Sequence, residues 1–267
     1  MRRRSLLTLA LTAGSAVGAS LVSGRARAVP AVGDDASLMG PFRLELLHRQ
    51  RIDAPGLGLD EPSGLTLNAD GTALYTVSDD TRTIFCMDLK GEVLADASFP
   101  LNANDLEGIA LSADGKRLLA VHEETNAVIS IDLARRRELR RQPLAGMDNY
   151  AGIARHFPAR PDNKGLEGIT VNTRNQRVFV VKEGSPGLLI ELDPSCRTIL
   201  SSRLLTAENG FSHPKLEQRK LDFSGLSYDS QRDTIWIASD KGRCLFHYDW
   251  TRDRVLQRLD LLLDDGG

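Results

Sequence analysis

An acidic residue recurs at a fixed distance after a glycine, and this repetition constrains the fold more than any other feature of the sequence. Four glycines that open short apolar runs are each followed, fifteen positions later, by a carboxylate. The pairs are Gly64 and Asp79, Gly108 and Glu123, Gly168 and Glu183, and Gly225 and Asp240. Self-similarity of this kind is the signature of a repeat architecture, in which each repeat is one supersecondary unit.

Each repeat has the pattern of four antiparallel strands. After the glycine, apolar residues alternate with others, as at Leu65 and Leu67, which is the period of a half-buried strand. A turn-prone set such as Asn68-Ala-Asp-Gly71 follows, and a second apolar strand then runs to the acid. Third and fourth strands complete each unit, the fourth strand of the first unit being predicted over residues 92–100. Four strands in about 40 residues predict an all-β propeller with four recognisable blades.

The first 28 residues have the features of an export signal. A basic Met1-Arg-Arg-Arg4 precedes a small and apolar stretch, and Ala26-Arg27-Ala28 has the form of a cleavage site. The paired arginines favour the twin-arginine route over the general secretory route. We therefore expect a periplasmic or secreted protein with a disordered lead-in over residues 29–40 and a single propeller domain over residues 41–267. A strand predicted over residues 42–52 would complete the last blade.

Charge and cysteine content narrow the classes of partner. Cleavage after residue 28 removes five arginines and no acid, which changes the formal net charge from −2 to −7. This acidity, without a basic run interleaved with aromatic residues, argues against nucleic acid as the partner. No second apolar stretch of membrane length follows the signal, so we expect no membrane span after cleavage.

Among the three cysteines, Cys86 and Cys244 are expected to pack within strands, whereas Cys196 is a candidate for an exposed thiol.

The carboxylates are expected to gather at one end of the propeller channel. The first strand of a blade runs one way and the second returns, so Glu107 should lie near Glu123, and Glu167 near Glu183. Oxygen ligands without sulfur or imidazole suit Ca²⁺, with Mg²⁺ the weaker candidate. The candidate metal ligands are Glu107, Glu167, Glu123, Glu183, Asp79 and Asp240. The candidate ligand-binding residues on the same rim are Ser63, Asp105, Lys164, Lys182, Asp222 and Ser224.

A structural role is the alternative for these acids. A carboxylate at a strand end often accepts hydrogen bonds from the backbone of a neighbouring loop, and this interpretation is favoured for the four acids that end the second strands. Glu107 and Glu167 stand where the other two units have serine, so both roles remain open for them. Two insertions, residues 145–163 and 206–221, precede the third and fourth glycine motifs and are long enough to be functional loops at this rim.

The same motifs resemble those of the SdiA-regulated family of exported β-propellers over residues 42–263. The motifs are Glu61-Pro-Ser-Gly-Leu-Thr66, Asp105-Leu-Glu-Gly-Ile109, Asn163-Lys-Gly-Leu-Glu-Gly-Ile169, Lys182-Glu183 and Asp222-Phe-Ser-Gly-Leu226. The resemblance implies a propeller fold, an extracytoplasmic location and calcium association, but it supplies no reaction. The usual form of the family has a further C-terminal unit, which implies five blades, with six as the alternative. The resemblance therefore implies either a chain that is truncated at its C-terminus or a ring that closes with fewer blades.

Two functions from different classes fit this sequence. The first is a calcium-associated binding or scaffolding protein of the cell envelope, whose partner is an unidentified small molecule or envelope protein. The alternative is a metal-dependent hydrolase of phosphoesters or lactones. It draws on a more distant likeness of Glu107 and Glu167, each before a glycine, to esterase-like phytase and gluconolactonase-type propellers, in which such a Glu helps to hold the channel metal. No Gly-x-Ser-x-Gly elbow is present, and the sequence leaves open whether the protein is an enzyme.

Overall fold

A computed structural model describes residues 52–78, 81–158 and 164–261. These residues form sixteen strands in four antiparallel sheets, and each sheet contains four strands in chain order. The architecture is a four-bladed β-propeller, which confirms the fold class predicted from the repeats. Within the described ranges the only helices are short 3-10 turns, so the strands supply almost all of the regular structure.

The blades follow one another along the chain. Blade 1 contains β1 (Pro62–Leu67), β2 (Ala73–Ser78), β3 (Thr83–Asp88) and β4 (Phe99–Pro100). Blade 2 contains β5 (Leu106–Leu111), β6 (Arg117–His122), β7 (Ala127–Asp132) and β8 (Arg137–Pro143). Blade 3 contains β9 (Leu166–Val171), β10 (Val178–Lys182), β11 (Leu188–Leu192) and β12 (Ile199–Leu204). Blade 4 contains β13 (Gly225–Asp229), β14 (Thr234–Ser239), β15 (Cys244–Asp249) and β16 (Arg254–Asp260).

The 3-10 turns lie outside the strands, the first before β1 and the others between strands. Their bounds are Pro55–Leu57, Leu144–Gly146, Tyr150–Gly152, Ala154–His156, Ala207–Asn209 and Gln218–Lys220. No helix in the described part of the chain is long and apolar enough to cross a membrane.

The outer strand of blade 1 is shorter than the sequence predicts. Instead of spanning residues 92–100, it is reduced to β4, with a separate bridge between Met87 and Val93. The hydroxyl of Ser98 explains the difference, because it accepts a hydrogen bond from the Cys86 backbone N–H and so replaces a carbonyl of the ladder. A turn in which Ala97 N–H and Ser98 N–H donate to the Leu94 carbonyl interrupts the strand at the same place.

The four glycines of the repeat hold the inner strands close together. A Cβ atom at Gly108 would lie 2.5 Å from the carbonyl oxygen of Glu167 in the next blade, and one at Gly64 would lie 2.6 Å from the Ile109 nitrogen. Only a residue without a side chain allows this approach, so glycine has a structural role at these two positions. Gly225 differs, because its Cβ would meet only Ala238 of its own blade, at 3.5 Å.

The inner strands at the two ends of the blade series are less covered than those between them. β5 and β9 are almost wholly buried, whereas every residue of β1 and β13 is half-buried. Inner strands of successive blades pack side by side, and the described residues show no comparable packing between β13 and β1. The segment that begins at Ile52 covers the outer face of blade 1, where Leu59, Phe85 and Met87 form a small core.

Both insertions are packed between blades. In the first, Met147 and Ile153 join the core between blades 2 and 3, beside Leu144, which directly precedes the insertion. In the second, Phe211 is fully buried between blades 3 and 4, and its ring lies 5.4 Å from that of Phe223. The described parts of the two insertions therefore contribute apolar side chains to the cores between blades.

Several predictions fall on residues outside the described ranges. They include the signal peptide, the lead-in, the metal ligand assigned to Asp79, and all of the strand predicted over residues 42–52 except Ile52.

Candidate functional site

The residue before the repeat glycine lies in a β-bulge in three of the blades. Pairing between the first and second strands of a blade shifts register around Ser63 in blade 1, Glu107 in blade 2 and Glu167 in blade 3. A bulge leaves one residue out of the ladder and redirects its side chain, and bulges are frequent beside functional sites. Ser224 has no such bulge, because β13 begins at the following glycine.

Three carboxylates, called the trio below, meet at the mouth. The mouth is the end of the channel where the first strand of each blade begins and the second strand ends. One oxygen each from Asp105, Glu107 and Glu123 lies within 4.8 Å of the other two. Glu107 and Glu123 are buried, and Asp105 is partly exposed. Ligands that share one Ca²⁺ lie 2.3–2.6 Å from the ion, so oxygens this close together are able to contact a single cation. The predicted approach of Glu107 to Glu123 is thus present.

Asp105 is held in place by the loop that follows β6. Its backbone has a positive φ of 55° and its carbonyl accepts the N–H of Glu123 at 3.2 Å. Its Oδ2 atom accepts the N–H of Glu124 at 2.6 Å. The sequence suggested hydrogen bonds of this kind, from loop backbone to carboxylate, for the acids at the ends of the second strands. Here Asp105, which precedes the repeat glycine, accepts one as well. The other Asp105 oxygen is oriented by the same contacts.

Two hydrogen bonds across blade boundaries fix the glutamates of the trio. Ser63 of blade 1 donates its hydroxyl to Glu107 Oε2 at 2.5 Å. Glu123 Oε1 accepts the backbone N–H of Gly165 at 3.1 Å, which ties blade 2 to the start of blade 3. Glu123 therefore makes the structural bond predicted for its position while its side chain also belongs to the trio.

Glu183 of blade 3 pairs with a lysine, and Asp222 before blade 4 accepts from a hydroxyl and a backbone N–H. Glu183 Oε1 accepts from Lys241 Nζ at 2.7 Å, across the boundary between these blades. Burial acts to lower the pKa of Lys241, but the hydrogen bond and charge of Glu183 outweigh it and raise that pKa. Asp222 accepts from the Ser239 hydroxyl at 2.6 Å and from the Lys241 N–H at 3.0 Å, which matches the role of Asp105 in blade 2.

Lys182 is a buried cation at the same end. Its side chain is 1% exposed, its Nζ donates to the Gly184 carbonyl at 2.5 Å, and it lies 5.9 Å from the centre of the Phe157 ring. Burial of a lysine is costly unless it is hydrogen-bonded and compensated. Lys182 is therefore fixed in the wall of the propeller, and its role in ligand binding stays a prediction.

The remaining predicted residues do not join the trio. Glu167 is buried in the bulge of β9, and Lys164 is half-buried just before that strand. Ser224 N–H donates to the Ala238 carbonyl at 2.9 Å, and Asp240 is exposed. Of the six predicted metal ligands, the structure places Glu107 and Glu123 together, with Asp105 as the third member.

His122 and Glu124 were not among the predicted metal ligands, yet both lie beside Asp105. Oxygen or nitrogen atoms of Asp105, His122 and Glu124 also lie within 4.8 Å of one another. The Nδ1 atom of His122 is 3.7 Å from Asp105 Oδ2. Burial lowers the pKa of His122 even though Asp105 acts to raise it, so the ring is neutral near pH 7. The sequence feature that could have identified His122 and Glu124 is their position on either side of Glu123, a predicted metal ligand.

Comparison with models of protein families identifies a family. A family model described as SdiA-regulated matches residues 44–266. No curated protein sequence matches the chain.

Two proteins are examples of the many solved structures that are similar to this chain. The β-propeller domain of Myceliophteria thermophila Cps50 (Swd1) aligns over 74% of this chain and 56% of its own length, with 16% identity and a TM-score of 0.44. This chain thus spans just over half of that domain. Kuenenia stuttgartiensis hydrazine synthase aligns over 76% of this chain and 75% of its own, with 12% identity and a TM-score of 0.47.

Proposed function

This chain belongs to the SdiA-regulated family, and from that premise we propose that it is an exported, calcium-associated binding or scaffolding protein of the cell envelope. The observation that carries the proposal is the convergence of Asp105, Glu107 and Glu123 at the channel mouth. The basic N-terminus and the Ala26-Arg27-Ala28 sequence support export to the periplasm or beyond.

The donor set suits a hard divalent cation. Every member of the trio offers a carboxylate oxygen, and the Ser63 hydroxyl lies beside Glu107. Ca²⁺ takes six to eight oxygen ligands. Three carboxylates supply part of that shell, and the rest is left for water or for oxygens of a bound ligand. A cation here would also reduce the repulsion among three carboxylates that burial strengthens.

Calorimetry of Ca²⁺ with the purified protein tests this proposal. We expect one site that raises the melting temperature, and we expect Glu107→Gln with Glu123→Gln to abolish the binding heat while the fold persists. Glu92→Gln with Asp96→Asn is the matched control, because it also removes two carboxylates but at exposed positions on the outer edge of blade 1. Absence of a binding heat in the folded wild-type protein would overturn the calcium proposal.

A metal-dependent hydrolase is the second candidate, and His122 is the observation that favours it. A neutral imidazole within 3.7 Å of Asp105 stands where a general base would accept a proton from water activated by a cation. Phosphoester and lactone substrates should then be hydrolysed at a Ca²⁺-dependent rate that His122→Asn lowers without loss of Ca²⁺ affinity. A protein that binds Ca²⁺ but shows no turnover of either class would support the binding role.

A further inference from the structure

The end of the propeller opposite the mouth carries a second charged surface. In each blade the third strand begins at the mouth and runs away from it, so the turn between the third and fourth strands lies at the opposite end. Basic residues are exposed in these turns or at the start of the following strand in every blade. The residues are Lys90 in blade 1, residues 135–137 in blade 2, Arg197 in blade 3, and Arg252 and Arg254 in blade 4.

The aspartates of the same turns face inward. Asp132 Oδ1 accepts the Arg135 N–H at 2.8 Å, Asp193 Oδ1 accepts the Arg197 N–H at 2.7 Å, and Asp249 Oδ1 accepts the Arg252 N–H at 3.0 Å. Each aspartate is therefore part of the turn. The Arg136 guanidinium lies 5.9 Å from the centre of the Phe99 ring of blade 1, whereas Arg137, Arg197 and Arg254 are exposed. Arg135 and Arg252 pair with these aspartates, but within the described ranges Arg136, Arg137, Arg197 and Arg254 form no ion pair.

Exposed leucines accompany these arginines in two adjacent blades. Leu139 is 47% exposed and Leu200 is 42% exposed. Both occupy the extra position of a bulge near the start of an outer strand, since the register of β8 shifts around Leu139 and that of β12 shifts around Leu200. The same position in two successive blades therefore presents an apolar side chain to solvent instead of to a core.

We propose that this basal rim, formed by Arg136, Arg137, Leu139, Arg197, Leu200 and Arg254, binds an anionic phospholipid surface. Leucine side chains that protrude between arginines match an interface where acyl chains lie beneath phosphate groups. A peptide partner would need a groove for its side chains, whereas these leucines lie exposed on β8 and β12, the outer strands of their blades. In this orientation the mouth faces away from the membrane, so lipid binding at the basal rim and cation binding at the mouth are independent of each other.

Vesicle sedimentation of the full chain tests the proposal. We expect binding to phosphatidylcholine vesicles that contain phosphatidylglycerol, weaker binding at high salt, and little binding to phosphatidylcholine alone. Arg136→Glu with Arg137→Glu should weaken binding at least about tenfold, because each basic residue near an anionic surface contributes about fivefold. Leu139→Ser with Leu200→Ser, which leaves the charge unchanged, should weaken binding several-fold.

Arg155→Glu with Arg219→Glu is the matched control. It makes the same change in charge at two exposed arginines of the loops on the mouth side, and it should leave vesicle binding within about twofold. Every variant keeps the same N-terminal segment, so any binding by that segment is common to all. Ca²⁺ calorimetry on the rim variants should match the wild type, which separates this inference from the proposed cation site.

Three outcomes would overturn the inference. They are failure of the wild-type chain to bind the anionic vesicles, an equal loss of binding in the rim and control variants, and retention on immobilised polyglutamate without vesicle binding. The last result would identify an acidic polypeptide as the partner.

Discussion

Ser63 of blade 1 donates a hydrogen bond to Glu107 of blade 2, with 2.5 Å between the two oxygen atoms. The bond joins the bulges of two neighbouring inner strands at the mouth. It orients one carboxylate of the trio and, at the same time, couples two blades. Stability and the geometry of the candidate site are therefore linked at this position.

Ser63→Ala should lower the free energy of unfolding by about 1.5–3 kcal/mol, the range for a hydrogen bond to a charged group. Urea denaturation in the presence of EDTA measures this change without a contribution from bound metal. Glu107→Gln and the double variant complete a double-mutant cycle, which isolates the coupling between the two side chains. Additive effects in the cycle would show that the bond does not stabilise the junction of the blades.

Gly108→Ala and Gly225→Ala should have very different effects, although the two glycines occupy the same place in the repeat. The new Cβ atom would lie 2.5 Å from a backbone oxygen in the first case and meet nothing closer than 3.5 Å in the second. We expect a loss of about 3 kcal/mol for Gly108→Ala and less than about 1 kcal/mol for Gly225→Ala. Chemical denaturation of both variants provides the comparison, and equal losses would contradict it.

The repeat spacing was sufficient to predict the blades and the end of the molecule where the acids lie. It placed Glu107 beside Glu123, because antiparallel strands bring the start of one strand to the end of the next. It could not identify Asp105 as the third member of the trio, since that position depends on a left-handed backbone and on a bond to the Glu124 N–H. Such contacts arise only when the loops are folded.

Two other expectations, the length of the outer strand of blade 1 and the exposure of Cys196, were wrong. Both depend on side-chain contacts that a pattern of residue types does not predict. The outer strand of blade 1 is interrupted because the Ser98 side chain enters the ladder. Cys196 is buried rather than exposed, although it stands in a turn. Asp193 accepts the N–H groups of Ser195 and Arg197, and the turn so formed directs the Cys196 side chain into the core between blades 2 and 3.

His247 should make the protein less stable as the pH falls below about 6.5. The ring is 1% exposed, stacks on Trp236 at 4.4 Å and contacts the Thr234 hydroxyl at 2.7 Å. Burial lowers the pKa of His247. The unfolded chain therefore takes up a proton at a higher pH than the folded chain, and acid favours unfolding.

Unfolding free energies measured between neutral pH and pH 5 test this expectation. His247→Gln should make the decline with acid less steep. The decline should not vanish, because burial lowers the pKa of His122 in the same way. A slope unaffected by His247→Gln would exclude this ring as a source of the acid sensitivity.

The three thiols should be unreactive in the folded protein. Cys86, Cys196 and Cys244 are all buried, and burial raises the pKa of Cys196 and Cys244 to about 12. Because the thiolate is the reactive form, a disulfide reagent at pH 8 should modify them slowly in buffer and rapidly in urea. Ser195→Cys places a thiol at the exposed neighbouring position and should be modified at once, which shows that the reagent reaches this turn. Rapid modification of Cys196 in the folded wild-type protein would contradict its burial between blades 2 and 3.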